Sequence, residues 1–305
     1  MDQGTLSIFT AVVASIVLEA APFLLVGSLL SALIGLYVGD GALTRICGRS
    51  LPVQILLGLG AGMLLPTCEC GVVPVTRRLL RKGVPPGAAI TFMFAAPVLN
   101  PVCLASTWVA FQGDWRMAAW RAALVAAPAA AMGWVLGRTP LPELLRPGLD
   151  MAHDNGCTCG CGHDHSQDHG RGVAAVLRAT GGELLDMGQY LILGALIAGT
   201  FKVFLPQEWL GLVSGSLWLA VPAMMLLAVL MSICSEADAF VAASLSMFPR
   251  PALLAFLALG PMLDLKLLPA FLSVFRRHAA LALIVIPAAC VFVLVMSLGL
   301  AGVLP

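Results

Sequence analysis

The sequence predicts an all-α polytopic membrane protein of about eight transmembrane helices. Three observations carry that prediction. Hydrophobic residues fill 60% of the 305 positions and charged residues only 11%, against about 25% charged in a soluble domain. The mean hydropathy is +0.96. The apolar residues fall in runs of roughly twenty, enough to cross a hydrocarbon core of about 30 Å. The alternating segments of a transmembrane barrel are missing, and a net charge of +1 offers no basic footprint for nucleic acid.

The apolar runs place spans at 6–38, 51–76, 86–111, 117–137, 184–205, 212–233, 251–275 and 279–302. The first contains Glu19 and Pro22 and is too long for the apolar part of a signal peptide, so it reads as a retained helix. Segment 51–82 reads two ways. Either 51–76 spans outright, or Leu51–Leu65 enters and Thr67–Leu80 returns as a re-entrant hairpin with its tip at Pro66-Thr67-Cys68-Glu69-Cys70-Gly71. Segment 234–248 carries a similar ambiguity. Backbone broken by Pro and Gly at membrane depth is tolerated only where protein buries it or it lines a cavity. Arg45 and Arg49, Arg77 to Lys82, Arg116 and Arg121, and Arg276 and Arg277 read as basic flanks on both sides, so they set no orientation.

Hydropathy divides the chain into a first transmembrane repeat (1–137), a polar linker (138–182) and a second repeat (183–305). At an offset of 164, Cys70 falls on Cys234, Pro85 on Pro249, Pro97 on Pro261 and Asn100 on Asp264. At an offset of 167, the stretch Glu19 to Gly27 falls on Asp186 to Gly194. Two similar halves around a central site is a common transporter plan.

Four constellations carry chemistry. In the first, Cys68, Glu69 and Cys70 put two thiols and a carboxylate within three apolar-flanked residues. In an extended tip the two sulfurs point the same way and can share a soft cation as thiolates. The bland alternative is two small buried hydrophobes beside a snorkelling Glu69. The second, Cys234 with Glu236 and Asp238, adds a thiol and two carboxylates. On a helix, Cys234 and Asp238 share one face; the alternative is a polar surface loop. The third is Pro97, Asn100 and Pro101, mated to Asp264 and its neighbour Lys266. Proline in a span frees carbonyls that can pass a cation, or Asn100 simply caps the next half-helix. Asp264 and Lys266 also read as groups that neutralise other charges. The fourth lies in the linker, where Cys157, Cys159, Cys161, His163, His165 and His169 fall within 13 residues. Such a Gly-rich run can wrap Zn(II) or Cu(I), and it has no core of its own to bury. On the cytoplasmic side its thiols would stay reduced. Glu19 and Asp186 are candidate proton carriers. No phosphate-binding Gly-Lys motif and no hydrolytic triad is visible, so the chain does not read as an enzyme.

Cys68-Glu69-Cys70-Gly71-Val72-Val73-Pro74 together with Ala95-Ala96-Pro97-Val98-Leu99-Asn100-Pro101 resembles the bacterial permease family that includes the organoarsenical efflux permeases. In that family a Cys-x-Cys-Gly segment precedes an Ala-Pro-x-x-Asn-Pro segment, and the middle residue of the first is often Ser. Glu69 departs from this, and a charged residue there favours a soft metal cation over a neutral arsenical. The Cys/His linker resembles the branch regarded as copper/zinc efflux transporters. The resemblance implies roles only at Cys68, Cys70, Pro97, Asn100 and Pro101.

The expectation is therefore a multi-pass permease of the bacterial plasma (inner) membrane that exports a Zn(II)- or Cu(I)-class ion through Cys68, Glu69 and Cys70 facing Cys234, Glu236 and Asp238. Asn100 and Asp264 line the path, Glu19 couples protons, and the linker captures metal. Its partners are the metal or metalloid substrate, lipid and, in one reading, a second copy of the chain. The alternatives are efflux of trivalent organoarsenicals, a membrane thiol–disulfide electron carrier, and a non-transporting subunit of a larger complex.

Overall fold

A computed structural model describes residues 3–37, 50–65, 67–146, 173–204 and 216–304. They form thirteen helices, and their only β-type pairing is an isolated bridge between Leu145 and Phe275. We number the helices α1 (Gln3–Tyr37), α2 (Leu51–Leu64), α3 (Glu69–Arg81), α4 (Pro86–Leu99), α5 (Pro101–Ala110), α6 (Trp115–Leu136) and α7 (Leu141–Leu144). The second part holds α8 (Val173–Phe204), α9 (Leu217–Met231), α10 (Asp238–Ser244), α11 (Arg250–Leu259), α12 (Leu267–Val274) and α13 (Arg277–Leu300).

The all-α polytopic architecture is as the composition requires. Among the described residues four stretches are long and apolar enough to cross a membrane: Phe9–Tyr37, Pro86–Ala110, Trp115–Leu136 and Arg277–Leu300. Shorter apolar helices, α2, α9 and α11, and the 32-residue α8 add to these. Three of the expected spans are interrupted, the first beside the tip that the re-entrant reading gives segment 51–82. The 51–76 run stops at Leu64 and restarts at Glu69, the 86–111 run breaks at Asn100, and the 251–275 run opens between Leu259 and Leu267. Each break coincides with Pro or Gly, which remove a ladder hydrogen bond or loosen the backbone. Helix α8 begins at Val173, so Arg178 is helical. At the linker's other end, Leu144 O accepts from the Arg276 N–H (2.9 Å) and the Arg146 N–H donates to Val274 O (3.1 Å), which fastens this stretch to the α12–α13 junction.

Packing follows side-chain size. Every residue of α4 from Gly87 to Leu99 is buried, because α2, α3 and α6 all pack on it. Helices α1 and α8 pack on each other at the edge and leave large apolar side chains such as Leu18, Leu25, Leu185 and Ile192 exposed. In a membrane those faces meet lipid. Of the breaks, those beside α3 and α5 lie against elements of the second half, since α3 packs on α12 and α5 on α10.

Candidate functional site

Helix α3 starts where Cys68, extended at φ −81° and ψ 172°, turns the chain inward. Its carbonyl accepts from the Gly71 and Val72 N–H groups (3.2 and 3.1 Å). Glu69 and Cys70 therefore lie in the first helical turn rather than in a fully extended tip. Cys68 and Cys70 nevertheless line the same small cavity. Glu69 is 1% exposed; its Oε1 accepts from Lys266 Nζ at 3.0 Å and its Oε2 from Ser235 Oγ at 3.3 Å. Helix α1 holds this turn from outside. A Cβ on Gly27 would lie 2.5 Å from Gly71 Cα, so the close approach of the two backbones requires a glycine at position 27.

The facing break begins at Ser232, whose left-handed backbone (φ 47°) ends α9. Ser232 Oγ accepts from the Leu265 N–H (3.1 Å) and so ties this break to the one before α12. Cys234 Sγ donates to Glu236 Oε2 at 2.7 Å. Helix α10 starts at Asp238, whose N–H donates to the Cys234 carbonyl at 2.9 Å, so the two residues close one turn ahead of it. Their side chains engage different partners. Asp238 Oδ2 instead receives Arg121 Nη2 at 2.6 Å.

Arg121 was expected to flank a span at the surface. It is fully buried, donating also to Thr107 Oγ1 (2.7 Å) and to the Ser235 carbonyl (3.1 Å). Cys103 Sγ donates to that same carbonyl at 3.1 Å. The sequence held a signal for this. Met117, Arg121, Leu124, Pro128 and Met132 recur at helical spacing on the buried stripe of α6.

Cys68, Glu69, Cys70, Ser232, Cys234 and Lys266 line one cavity, closed on the α1 side by Ile16, Glu19 and Ala20. It measures about 10 Å³, room for roughly one water molecule. Glu19 is exposed and sits at its mouth; Asp186 is exposed on α8. The other candidates occupy different places. Asn100 caps α5, accepting from the Cys103 N–H at 2.8 Å. Asp264 accepts from the Leu267 N–H at 2.7 Å and lies 3.3 Å from Lys266 Nζ. Pro97 is buried in α4, while Pro101 is exposed at the start of α5. Cys157, Cys159, Cys161, His163, His165 and His169 lie outside the described residues.

Among the described residues no three His, Cys, Asp or Glu side chains are arranged to hold a metal ion. The hydrogen bonds explain why. Glu69 is engaged by Lys266 and Ser235, and Cys234 by Glu236, so the candidate ligands satisfy one another. Around the junction the carboxylates of Glu69, Glu236, Asp238 and Asp264 outnumber the cations Arg121 and Lys266 by two. A surplus of negative charge at a largely buried junction calls for protons or a further cation.

The chain matches the family described as "Predicted permease" (ArsP_1) over residues 5–300. It is 35% identical over 279 residues to the UPF0718 protein YcgR of Bacillus subtilis, covering 88% of this chain and 90% of that one. It is 33% identical over 267 residues to a putative two-component membrane permease complex subunit of Streptococcus mutans, covering 87% and 86%. No solved structure matches it. With nearly its whole length matched and its apolar helices on the page, the chain is a multi-pass membrane protein of the bacterial plasma membrane and belongs to this family of predicted permeases.

Proposed function

We propose that this permease moves a soft metal cation of the Zn(II)/Cu(I) class through the junction of Cys68, Glu69, Cys70 and Cys234. One observation carries the reading. Thiols from two distant stretches of the chain share a cavity sized for a single small particle with a buried carboxylate, and soft cations select thiolate ligands. A metal ion entering there releases the thiol protons, since the thiolate is the ligand. Glu236, already accepting from Cys234, takes one of them, and Glu19 at the mouth is placed to pass protons outward. Cys157 to His169 serve capture in this reading, and direction is outward. The Streptococcus relative's name mentions a two-component complex; by analogy this chain works beside a second subunit. The two halves are proposed as repeats.

The test is flux and tolerance. Cells expressing Cys68→Ser/Cys70→Ser are expected to lose tolerance to Zn(II) or Cu(I), and proteoliposomes carrying that variant to lose ion flux to background. Wild-type flux and tolerance in the double variant would sink the proposal.

A second reading has its own support. Because Glu69 is already neutralised by Lys266, the thiols alone are left for a substrate, which suits a trivalent organoarsenical. Glu69→Ser by itself cannot separate the two, since it removes the nearer of the two carboxylates that Lys266 pairs with. The charge-matched pair Glu69→Gln/Lys266→Met can: arsenical efflux survives it, whereas metal efflux falls.

A further inference from the structure

Lys266 is the residue of the junction that the transport reading leaves without a task. It does not lie on a membrane flank. Its side chain is 5% exposed, its ammonium is 3.0 Å from Glu69 Oε1 and 3.3 Å from Asp264 Oδ2, and it lines the same cavity as Cys68, Cys70 and Cys234. Its backbone is held firmly. A Cβ on Gly194 of α8 would stand 2.5 Å from Lys266 Cα and 3.1 Å from Leu265 O, so α8 and this turn are already in close contact. Any movement therefore belongs to the flexible four-carbon stem, not to the chain.

We infer that the Lys266 ammonium is a tethered competitor of the transported cation, seated on Glu69 when no metal is bound and displaced when metal arrives. This rests on the metal-permease reading. A lysine ammonium is a compact single positive charge with three donors, and here it satisfies a carboxylate that would otherwise be a metal ligand. A divalent ion that gains the neighbouring thiolates outbids it for Glu69. Asp264, whose Oδ2 already lies 3.3 Å from the ammonium, keeps the displaced charge within reach. The arrangement serves release as much as binding. A site of thiolates and carboxylate alone holds a soft ion too tightly to let it go, whereas a tethered charge ready to return lowers affinity and speeds exit. It does so without any covalent step and without a change in the lysine's protonation.

The experiment measures Zn(II) affinity by competition with a chelator, and Zn(II) flux in proteoliposomes, for the full-length chain. All samples carry Cys157, Cys159 and Cys161→Ser and His163, His165 and His169→Ala, so that the linker contributes nothing. Lys266→Met is expected to tighten Zn(II) binding by about 10- to 100-fold, the range that groups next to ligands command, and to lower the maximal flux together with the half-saturating concentration. Lys266→Arg keeps the buried charge, grips Glu69 with a two-pronged fork and is expected to weaken binding and raise the half-saturating concentration. It also keeps the test alive if the Met variant does not fold. Zn(II) bound by wild type with equal affinity in all three chains, or weakened alike by both substitutions, overturns the tethered competitor and leaves the metal permease standing. No Zn(II) on any of the three overturns both.

Discussion

Arg121 shows how one side chain joins the two halves. Its guanidinium holds Thr107, the Ser235 carbonyl and Asp238. With 0% exposure it has no water to fall back on. Buried pairs add little when compared with a well-packed apolar pair, yet removing one partner costs about 3–5 kcal/mol because the other charge is stranded. Arg121→Met is therefore expected to lower the thermal midpoint of the detergent-purified chain sharply. Arg121→Met/Asp238→Leu should recover most of the loss. If the double variant is as unstable as the single, Asp238 is not stabilised through Arg121. Residues of this kind are the hard part of the sequence. A basic residue near the start of a hydrophobic run reads as a flank by composition, and only the stripe it shares with Met117 and Leu124 says otherwise. Cys68, Glu69 and Cys70 were legible for the opposite reason. Thiols and a carboxylate among prolines and glycines have few reasons to lie in an apolar run.

At the scale of the element, the broken helices decide what the residues can do. The break between α4 and α5 is closed by Asn100 alone. Pro101 has no N–H, so the Pro97 carbonyl loses its helical partner, and Asn100 Nδ2 takes that carbonyl (3.2 Å) and the Ala96 carbonyl (3.1 Å). Its Oδ1 meanwhile accepts from the Cys103 N–H. Asp264 repeats the second of these roles with the Leu267 N–H, and there Lys266 balances the charge. The first half has no cation two residues on; position 102 is Val102. This explains a neutral amide in one half and a carboxylate in the other. Asn100→Ala is expected to cost about 1–3 kcal/mol for the unsatisfied buried groups it leaves. Asn100→Asp should be worse, since it adds an unpaired buried charge, while Asp264→Asn should be milder than Asn100→Asp. Unfolding curves of the three variants in one detergent check the order, and an Asn100→Asp chain as stable as wild type would refute it. Hydropathy could not show these breaks, because it averages over a window longer than the one, four or seven residues that form them. Prolines mark all three in the sequence, Pro66, Pro101 and Pro261; the re-entrant reading of 51–82 anticipated the first and the reading of Asn100 as a cap the second, while the count of eight spans did not show the third.

At the scale of the whole molecule, the polar groups of each half find their partners in the other. Glu69 needs Lys266 and Ser235; Asp238 needs Arg121; the Ser235 carbonyl receives Cys103 and Arg121. Every one of these contacts joins residues before 137 to residues after 183, so a half folded alone would strand several buried charges at several kcal/mol each. The proposed repeats are therefore not independent domains. They resemble the two sides of one core, fastened by α1 against α8 and by the α12–α13 junction against the start of the linker. The prediction is direct. Residues 1–150 and 151–305 expressed separately should each fail to accumulate in the membrane, while co-expressed they should copurify through a tag on either one. Introducing Lys266→Met and Asp238→Leu together into the second fragment should loosen that association, because Glu69 and Arg121 of the first would then meet no opposite charge. If either fragment alone accumulates as well as the pair, or if the double substitution leaves copurification unchanged, the halves are held by apolar packing and the crossed ion pairs serve the site alone.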